Sequence, residues 1–209
     1  MKPKILYIQT HYYHGKQPKF LKELKKRKDI IIIWQSDLTS DSIKNATGII
    51  TTMHLDQLGM LSFSSELEAF LNRGGRWFFN GHMMRPLVFG LQNYIPIKES
   101  GKQGLALTPL ADHPIFKGID RSKFGESKGV AGFYGRGHNP MPRGATAITG
   151  IGTKKNPLDW DWSISNSGQK SGRIFSHAGN TLLSVAGDEE ATKQLRENIF
   201  SWTLSKDNL

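Results

Sequence analysis

The chain contains no cysteine among its 209 residues. This absence excludes disulfide bonds, cysteine-ligated zinc sites and every mechanism that depends on a thiol nucleophile. Long apolar runs are also missing, since no stretch reaches the roughly 18 residues that a membrane-spanning helix needs. The apolar stretch near the first residue is too short for a signal peptide. We therefore expect a cytoplasmic protein that does not associate with membranes.

The composition excludes a disordered chain. Hydrophobic residues make up 37% of the sequence, and the mass of 23.5 kDa is sufficient to bury a full core without disulfides or metal. No internal repeat or linker divides the chain. We expect one domain over residues 1–209, and we also expect a homo-oligomer.

The net charge of +10 is concentrated near the beginning of the chain. Residues 1–28 hold nine Lys or Arg and one Glu, whereas residues 29–209 hold nineteen Lys or Arg and seventeen Asp or Glu. Pro18 is placed to begin a helix that we predict over 18–28. On such a helix the basic side chains would form a positive patch. Its members are Lys16, Lys19, Lys22, Lys25, Lys26, Arg27 and Lys28.

Apolar stretches of strand length alternate with amphipathic stretches along the chain. The pattern predicts strands at 4–10, 30–34, 48–52, 76–80, 145–151, 160–165 and 172–177. It predicts further helices at 65–73, 87–94 and 188–204, the first with Ser65 and Glu68 as a capping box. The apolar run at 30–34 is typical of a parallel strand covered on both faces. This alternation indicates a doubly wound α/β fold.

Polar side chains follow several of these strands at the point where each strand ends. Open parallel sheets bind ligands outside the carboxyl ends of their strands, so we expect these side chains to border one crevice. Five of the seven histidines hold such positions. The polar residues that follow the strands are His11, His14, His54, Asp56, Asn80, His82, Arg85, Ser176, His177 and Asn180.

Several chemistries are open to such a crevice. His82 and His177 are candidates for an acid–base pair, because the pKa of imidazole suits proton transfer near neutrality. Candidates for binding a substrate are His11, His54, Asn80, Arg85, Tyr134 and Asn180. An alternative is a divalent metal ion such as zinc, held by His11, His54 and His82. The turn at 79–83 lies where related folds carry a nucleophile, but it offers no Cys or Ser.

Three segments resemble a known family when they are taken in order. Residues 70–82 resemble the helix, glycine pair, strand and terminal histidine of trehalose-utilisation (ThuA-like) proteins. Residues 112–118 are similar to that family's Asp-His-Pro-Ile-x-x-Gly segment, and residues 172–177 resemble its closing strand. The family belongs to the class I glutamine amidotransferase-like superfamily. The resemblance implies a flavodoxin-like, mainly parallel sheet with helices on both faces, and a link to sugar metabolism. The chain departs from the amidotransferase pattern because it has no cysteine.

Three hypotheses for function remain open at this point. The first is a small-molecule binding protein or enzyme that acts on a sugar, a polyol or a phosphorylated ligand. The second is a nucleic-acid or polyanion binder that uses the basic residues at 16–28. The third is a non-catalytic interaction module, which exposed Trp34, Trp160 and Trp162 would favour.

Overall fold

The computed structural model describes residues 4–10, 19–99, 101–124, 126–127, 130–164, 172–184 and 189–205. In these ranges the strands are β1 (Ile5–Gln9), β2 (Ile30–Trp34), β3 (Gly48–Thr51), β4 (Arg76–Asn80), β5 (Ile95–Pro96), β6 (Leu107–Pro109), β7 (Glu126–Ser127), β8 (Val130–Ala131), β9 (Gly137–His138), β10 (Thr146–Ile151), β11 (Asn156–Ile164) and β12 (Gly172–His177). The helices are α1 (Phe20–Leu24), α2 (Ser40–Lys44), α3 (Gln57–Met60), α4 (Ser64–Asn72), α5 (Gly101–Gly104) and α6 (Glu189–Leu204).

A large, mainly parallel sheet forms the centre of the described structure. Its eight strands follow the order β2-β1-β3-β4-β12-β11-β10-β6. The strands from β2 to β12 in this order pair in parallel, and β11, β10 and β6 extend the sheet with antiparallel pairing. The α/β class is therefore confirmed. The adjacency of β1, β3 and β4 is as expected, and β12 ends at the same edge as they do.

Helices cover both faces of this sheet because successive strand residues point to opposite sides. On one face, Tyr7 and Phe78 pack in a core with α1 and α6. On the other face, Trp77 and Phe79 pack in a core with α2 and α4. The α6 side chains that the sequence pattern placed inward, Leu195 among them, are buried as predicted. The strands thus lie between two helical layers.

Three local predictions were wrong, each for a tertiary reason. The helix predicted over 18–28 continues only to Leu24, since the chain must turn to enter β2. The run at 30–34 is an edge strand, paired among the described strands with β1 alone, and it leaves Ile31 42% exposed. The segment 87–94 is irregular rather than helical.

The predicted capping box does not form. Helix α4 begins at Ser64, and its N-cap residue Phe63 makes no side-chain cap bond. The Glu68 carboxylate instead accepts a hydrogen bond from the Phe89 amide at 3.2 Å. A tertiary contact to the irregular segment has therefore taken the place of the local bond. In the described part of the chain, no helix is long and apolar enough to cross a membrane.

Candidate functional site

The turns that follow β3 and β4 are in direct contact at the carboxyl edge of the sheet. Gly81 adopts a φ of +119°, which favours glycine. A Cβ at this position would lie 2.8 Å from the Cα of Met53. The Gly81 amide also donates to the His177 carbonyl at 2.8 Å. This packing brings the turns that carry His54 and His82 together beside the end of β12.

A buried histidine–aspartate pair lies below this edge. The Nδ1 atom of His177 is 2.5 Å from Oδ1 of Asp159, and both side chains are fully buried. The two residues are direct partners in the antiparallel pairing of β11 with β12. A carboxylate accepts this hydrogen bond, so Nδ1 carries a hydrogen. Among the described residues Nε2 has no partner.

The structure encloses Nε2 of His177 instead of presenting it to solvent. The Tyr134 ring meets the imidazole edge-on, with 4.6 Å between ring centroids. A Cβ at Gly179 would approach Nε2 to 2.7 Å, so this glycine packs directly against the imidazole. His177 therefore does not reach solvent in this conformation, and its predicted catalytic role would have to act through its neighbours.

The imidazole of His82, unlike that of His177, is accessible. Its ring stacks on Tyr94 at a centroid distance of 3.8 Å, and part of it remains exposed. Burial against its neighbours lowers the pKa of His82, and the charge of His177 lowers it further. The lowered pKa keeps His82 neutral at physiological pH, where it can accept a proton or a hydrogen bond.

Asn139 holds the turn after β4 in place. This buried amide accepts from the Met83 amide at 2.8 Å, and it donates to the Gly81 carbonyl at 3.0 Å and to Ser176 Oγ at 2.9 Å. Sequence reasoning missed both Asn139 and Asp159. Neither follows one of the parallel strands, and no local signal distinguishes them from other Asn and Asp residues.

Gln57 holds the same turn from the opposite side. Its Nε2 donates to the His82 carbonyl at 2.7 Å. Its Oε1 accepts from the Met84 and Arg85 amides at 2.7 and 2.9 Å. The turn that bears His82 is thus fixed by two side-chain amides, and its position is set before any ligand binds.

Several of the predicted binding residues form hydrogen bonds to the protein backbone. The buried Asn80 amide donates to the Gly179 carbonyl at 3.1 Å and accepts from the Leu182 amide at 2.8 Å. Asn180 Nδ2 donates to the Phe133 carbonyl at 2.5 Å. The exposed Arg85 donates to the Met84 carbonyl at 2.9 Å. These contacts position loops around the site.

Tyr134 lies in the core instead of offering a face for stacking. Its ring is 1% exposed and stacks on Phe124 with 4.7 Å between centroids. Burial raises the pKa of Tyr134 well above its ordinary value, and the charge of Asp159 raises it further. The Tyr134 side chain therefore lacks the exposure that the expected contact with a ligand would need.

A cavity of about 460 Å³ opens at the carboxyl ends of β1, β2 and β3. Gln9 and Thr10 come from the end of β1, and Trp34 comes from the end of β2. The exposed His54 follows β3. The strand order reverses between β1 and β3, which is where open α/β sheets bind ligands. The side chains that line the cavity include Gln9, Thr10, Trp34, His54, Asp56 and Phe63.

The metal alternative finds little support here. Within the described ranges, no three His, Asp or Glu side chains lie together as a metal-binding group. His54 and His82 therefore lack a third ligand among those residues. His11, the remaining member of the predicted set, lies outside the described residues.

The histidine of segment 112–118 is structural. His113 Nδ1 accepts from the Ile115 amide at 3.3 Å, which caps a short 3-10 turn, and Nε2 lies 2.8 Å from Asp161. Arg173 binds the same carboxylate at 2.6 Å. Burial raises the pKa of Asp161, but the bonds from His113 and Arg173 outweigh it and leave the pKa lowered. This cluster lies in the core and offers no open position for a ligand.

The described lysines of the predicted basic patch are exposed. Lys19, Lys22, Lys25, Lys26 and Lys28 are all exposed, and the last three lie just before the first residue of β2. These three lysines therefore lie near the amino edge of the sheet, opposite the crevice. Arg27 is only half-exposed, since it pairs with Asp29 at 2.8 Å and with Glu197 at 2.7 Å. Lys16 lies outside the described residues.

Comparison with known proteins identifies the fold alone. No protein-family model matches the chain, and no curated sequence matches it. The structure is similar to the mmIFT52 N-terminal domain, with a TM-score of 0.59 and 16% identity over 99% of this chain and 100% of that one. It is also similar to a proposed GMP synthase subunit from Thermoplasma acidophilum, with a TM-score of 0.55 and 11% identity over 97% of this chain and 96% of that one.

Proposed function

We propose that this protein is a small-molecule binding protein or enzyme of the ThuA-like type. On this proposal residues 1–209 form one flavodoxin-like domain, and the ligand is a sugar, a polyol or a phosphorylated compound bound at the carboxyl edge of the sheet. The strand order and the likeness to the Thermoplasma acidophilum protein support the fold part of the proposal. The absence of cysteine argues against thiol-dependent amide hydrolysis.

The observation that carries the proposal is the arrangement of His82 beside the buried pair of His177 and Asp159. The pKa of His82 is lowered by burial and by the charge of His177, so His82 is a neutral acceptor near pH 7. Asn139 and Gln57 hold its turn rigidly, which favours a fixed contact with a ligand. His82 contacts the ligand in this proposal, and His177 is a positioning residue that acts through it.

The test compares the parent protein with His82→Ala against a panel of sugars, polyols and their phosphate esters. Ligand-induced increases in melting temperature identify the compounds that bind. We expect His82→Ala to lose these increases while the unliganded melting temperature stays within about 2 °C of the parent, because part of the ring is exposed. Met84→Ala alters an exposed neighbour in the same turn and is the matched control.

The opposite pattern would assign His82 a structural role. In that case the unliganded melting temperature would fall while the ligand-induced increases persisted. If no compound in the panel stabilises the parent protein, the small-molecule proposal is wrong.

Binding of a polyanion is the second candidate function. The five exposed lysines at and after α1 favour it, since clustered cations attract phosphate backbones. An interaction module has less support, because Trp160 is fully buried and Trp34 and Trp162 are half-buried.

A further inference from the structure

The cavity at the ends of β1, β2 and β3 carries an acceptor that the described residues leave unused. The Gln9 side chain is 4% exposed and lines this cavity. Its Oε1 atom has no hydrogen-bond partner among the described residues. A buried acceptor without a partner destabilises a fold, and native proteins keep few of them. A ligand that donates a hydrogen bond to Oε1 would remove this cost.

Two aromatic side chains line the same cavity. Trp34 and Phe63 are both half-buried, and both contribute to the lining. Small-molecule sites combine such apolar faces with a few fixed polar groups. Here the polar groups include the Gln9 amide, the Thr10 hydroxyl and the Asp56 carboxylate. The combination suits a ring that has an apolar face and hydroxyl groups around its edge.

The charge of the described lining disfavours a phosphate at the same position. Among the described residues its lining contains one carboxylate, Asp56, and neither Lys nor Arg. Proteins bind phosphate with Arg, Lys or the free amides of a helix N-terminus. The amides at the start of the four-residue α3 are already occupied, because Asp56 Oδ1 accepts from Leu58 and Gly59 at 3.1 Å each. An anionic group would therefore meet the negative charge of Asp56 with no Lys or Arg among the described lining residues to balance it.

We propose that this cavity binds a neutral polyhydroxylated ring such as a free sugar. A ligand hydroxyl donates to Oε1 of Gln9, and the ring lies against Trp34. The inference rests on the proposed function and restricts its ligand to uncharged compounds. The volume of about 460 Å³ lies within the range of roughly 300–1,000 Å³ that is usual for small-molecule sites.

Gln57 connects the cavity to the turn of His82. It follows Asp56 directly in the chain, and its Nε2 donates to the His82 carbonyl. Gln35 holds the other side of Asp56, since its side-chain amide exchanges two hydrogen bonds with the Asp56 backbone, at 2.6 and 2.9 Å. A ring bound beside Asp56 is therefore next to Gln57, the residue whose side chain holds the turn of His82.

The experiment measures binding of glucose, maltose, myo-inositol and glucose 6-phosphate to the full chain by isothermal titration calorimetry. We expect saturable binding of at least one neutral probe, and binding of glucose 6-phosphate at least tenfold weaker than that of glucose. In Gln9→Leu the affinity for the neutral probe should fall at least tenfold while the melting temperature stays equal or rises. Gln103→Leu makes the same change at an exposed position on α5 and should bind as the parent does.

Three results would overturn the inference: no saturable binding of any neutral probe, unchanged affinity in Gln9→Leu, or tighter binding of glucose 6-phosphate than of glucose. The proposed function is judged separately by the wider panel and His82→Ala. A sugar phosphate whose binding requires His82 would overturn the inference and leave the proposed function standing.

Discussion

His177 and Asp159 form a fully buried hydrogen-bonded pair across two antiparallel strands, with 2.5 Å between Nδ1 and Oδ1. The Asp159 carboxylate accepts a hydrogen bond from Nδ1 and holds the ring at the end of β12. His82 follows the adjacent strand β4, and the charge of His177 contributes to its lowered pKa. Burial is the larger cause of the lowered pKa of His82, and the charge of His177 adds to it.

Removing the carboxylate should destabilise the protein strongly. Asp159→Ala leaves the Nδ1 hydrogen of His177 buried without an acceptor, so we expect the free energy of unfolding to fall by roughly 2–3 kcal/mol. Urea denaturation measures this loss. Glu197→Ala removes a carboxylate from the exposed pair with Arg27 and should cost within about 1 kcal/mol. Equal losses in the two variants would contradict the conclusion that the buried hydrogen bond between His177 and Asp159 stabilises the fold.

Asn139 should prove essential to the turn that bears His82. Asn139→Ala deprives the Met83 amide and the Gly81 carbonyl of their buried partner, and we expect a loss of about 3 kcal/mol. Hydrogen exchange at the Met83 amide should accelerate as well. Asn45→Ala, at an exposed helix end, should change stability by less than about 0.5 kcal/mol. Unchanged exchange at Met83 would mean that another contact holds the turn.

Mild acid should weaken the fold through two histidines. Burial lowers the pKa of both His82 and His138 in the folded protein. In the unfolded chain each pKa returns to the ordinary value of about 6.5. Between the folded pKa and this value, the unfolded chain therefore binds more protons than the folded protein does. The stability that the two neutral histidines contribute is therefore fully present above pH 6.5, and it is lost as the pH falls through their pKa values in the folded protein. Urea midpoints between pH 7.5 and 5 measure the trend, and His138→Gln should flatten it. A midpoint that rises on acidification would refute this assignment.

The protein should not hydrolyse glutamine. The chain has no cysteine, and the turn after β4 presents His82 without a Ser or Cys beside it. Ammonia release from glutamine, measured with a coupled dehydrogenase assay, should equal that of His82→Ala. Release well above this control would show that a nucleophile other than a thiol acts here.

The exposed lysines should be separable from the crevice. Changing Lys19, Lys22, Lys26 and Lys28 to Glu should leave folding nearly intact, because each exposed substitution costs within about 0.5 kcal/mol. Arg27→Glu is the contrasting variant and should destabilise, since it breaks the pairs with Asp29 and Glu197. Fluorescence anisotropy with labelled DNA and RNA tests the alternative function. Tight binding by the parent that weakens steeply with salt would favour the polyanion function over the small-molecule one.

The sequence by itself determined the strand pattern of the parallel sheet. The ranges 30–34, 76–80 and 172–177 match the strands residue for residue, because each is a short, mainly apolar run of strand length. The positions of His54, His82 and His177 after strands followed from the same pattern. Parallel strands end at one edge, and the order of β1, β3 and β4 placed those ends side by side.

Only the tertiary structure decided which of these side chains are buried and which remain accessible. Asp159 meets His177 because β11 returns antiparallel beside β12, a pairing that joins residues 18 positions apart. The Asn80 side chain binds the backbone around Gly179. Gln9, a residue within a strand, lines a cavity, and its side-chain oxygen has no partner among the described residues. Sequence patterns report burial and periodicity along the chain. The partner of a buried polar atom depends on which distant segments pack together, and a local sequence pattern does not contain this information.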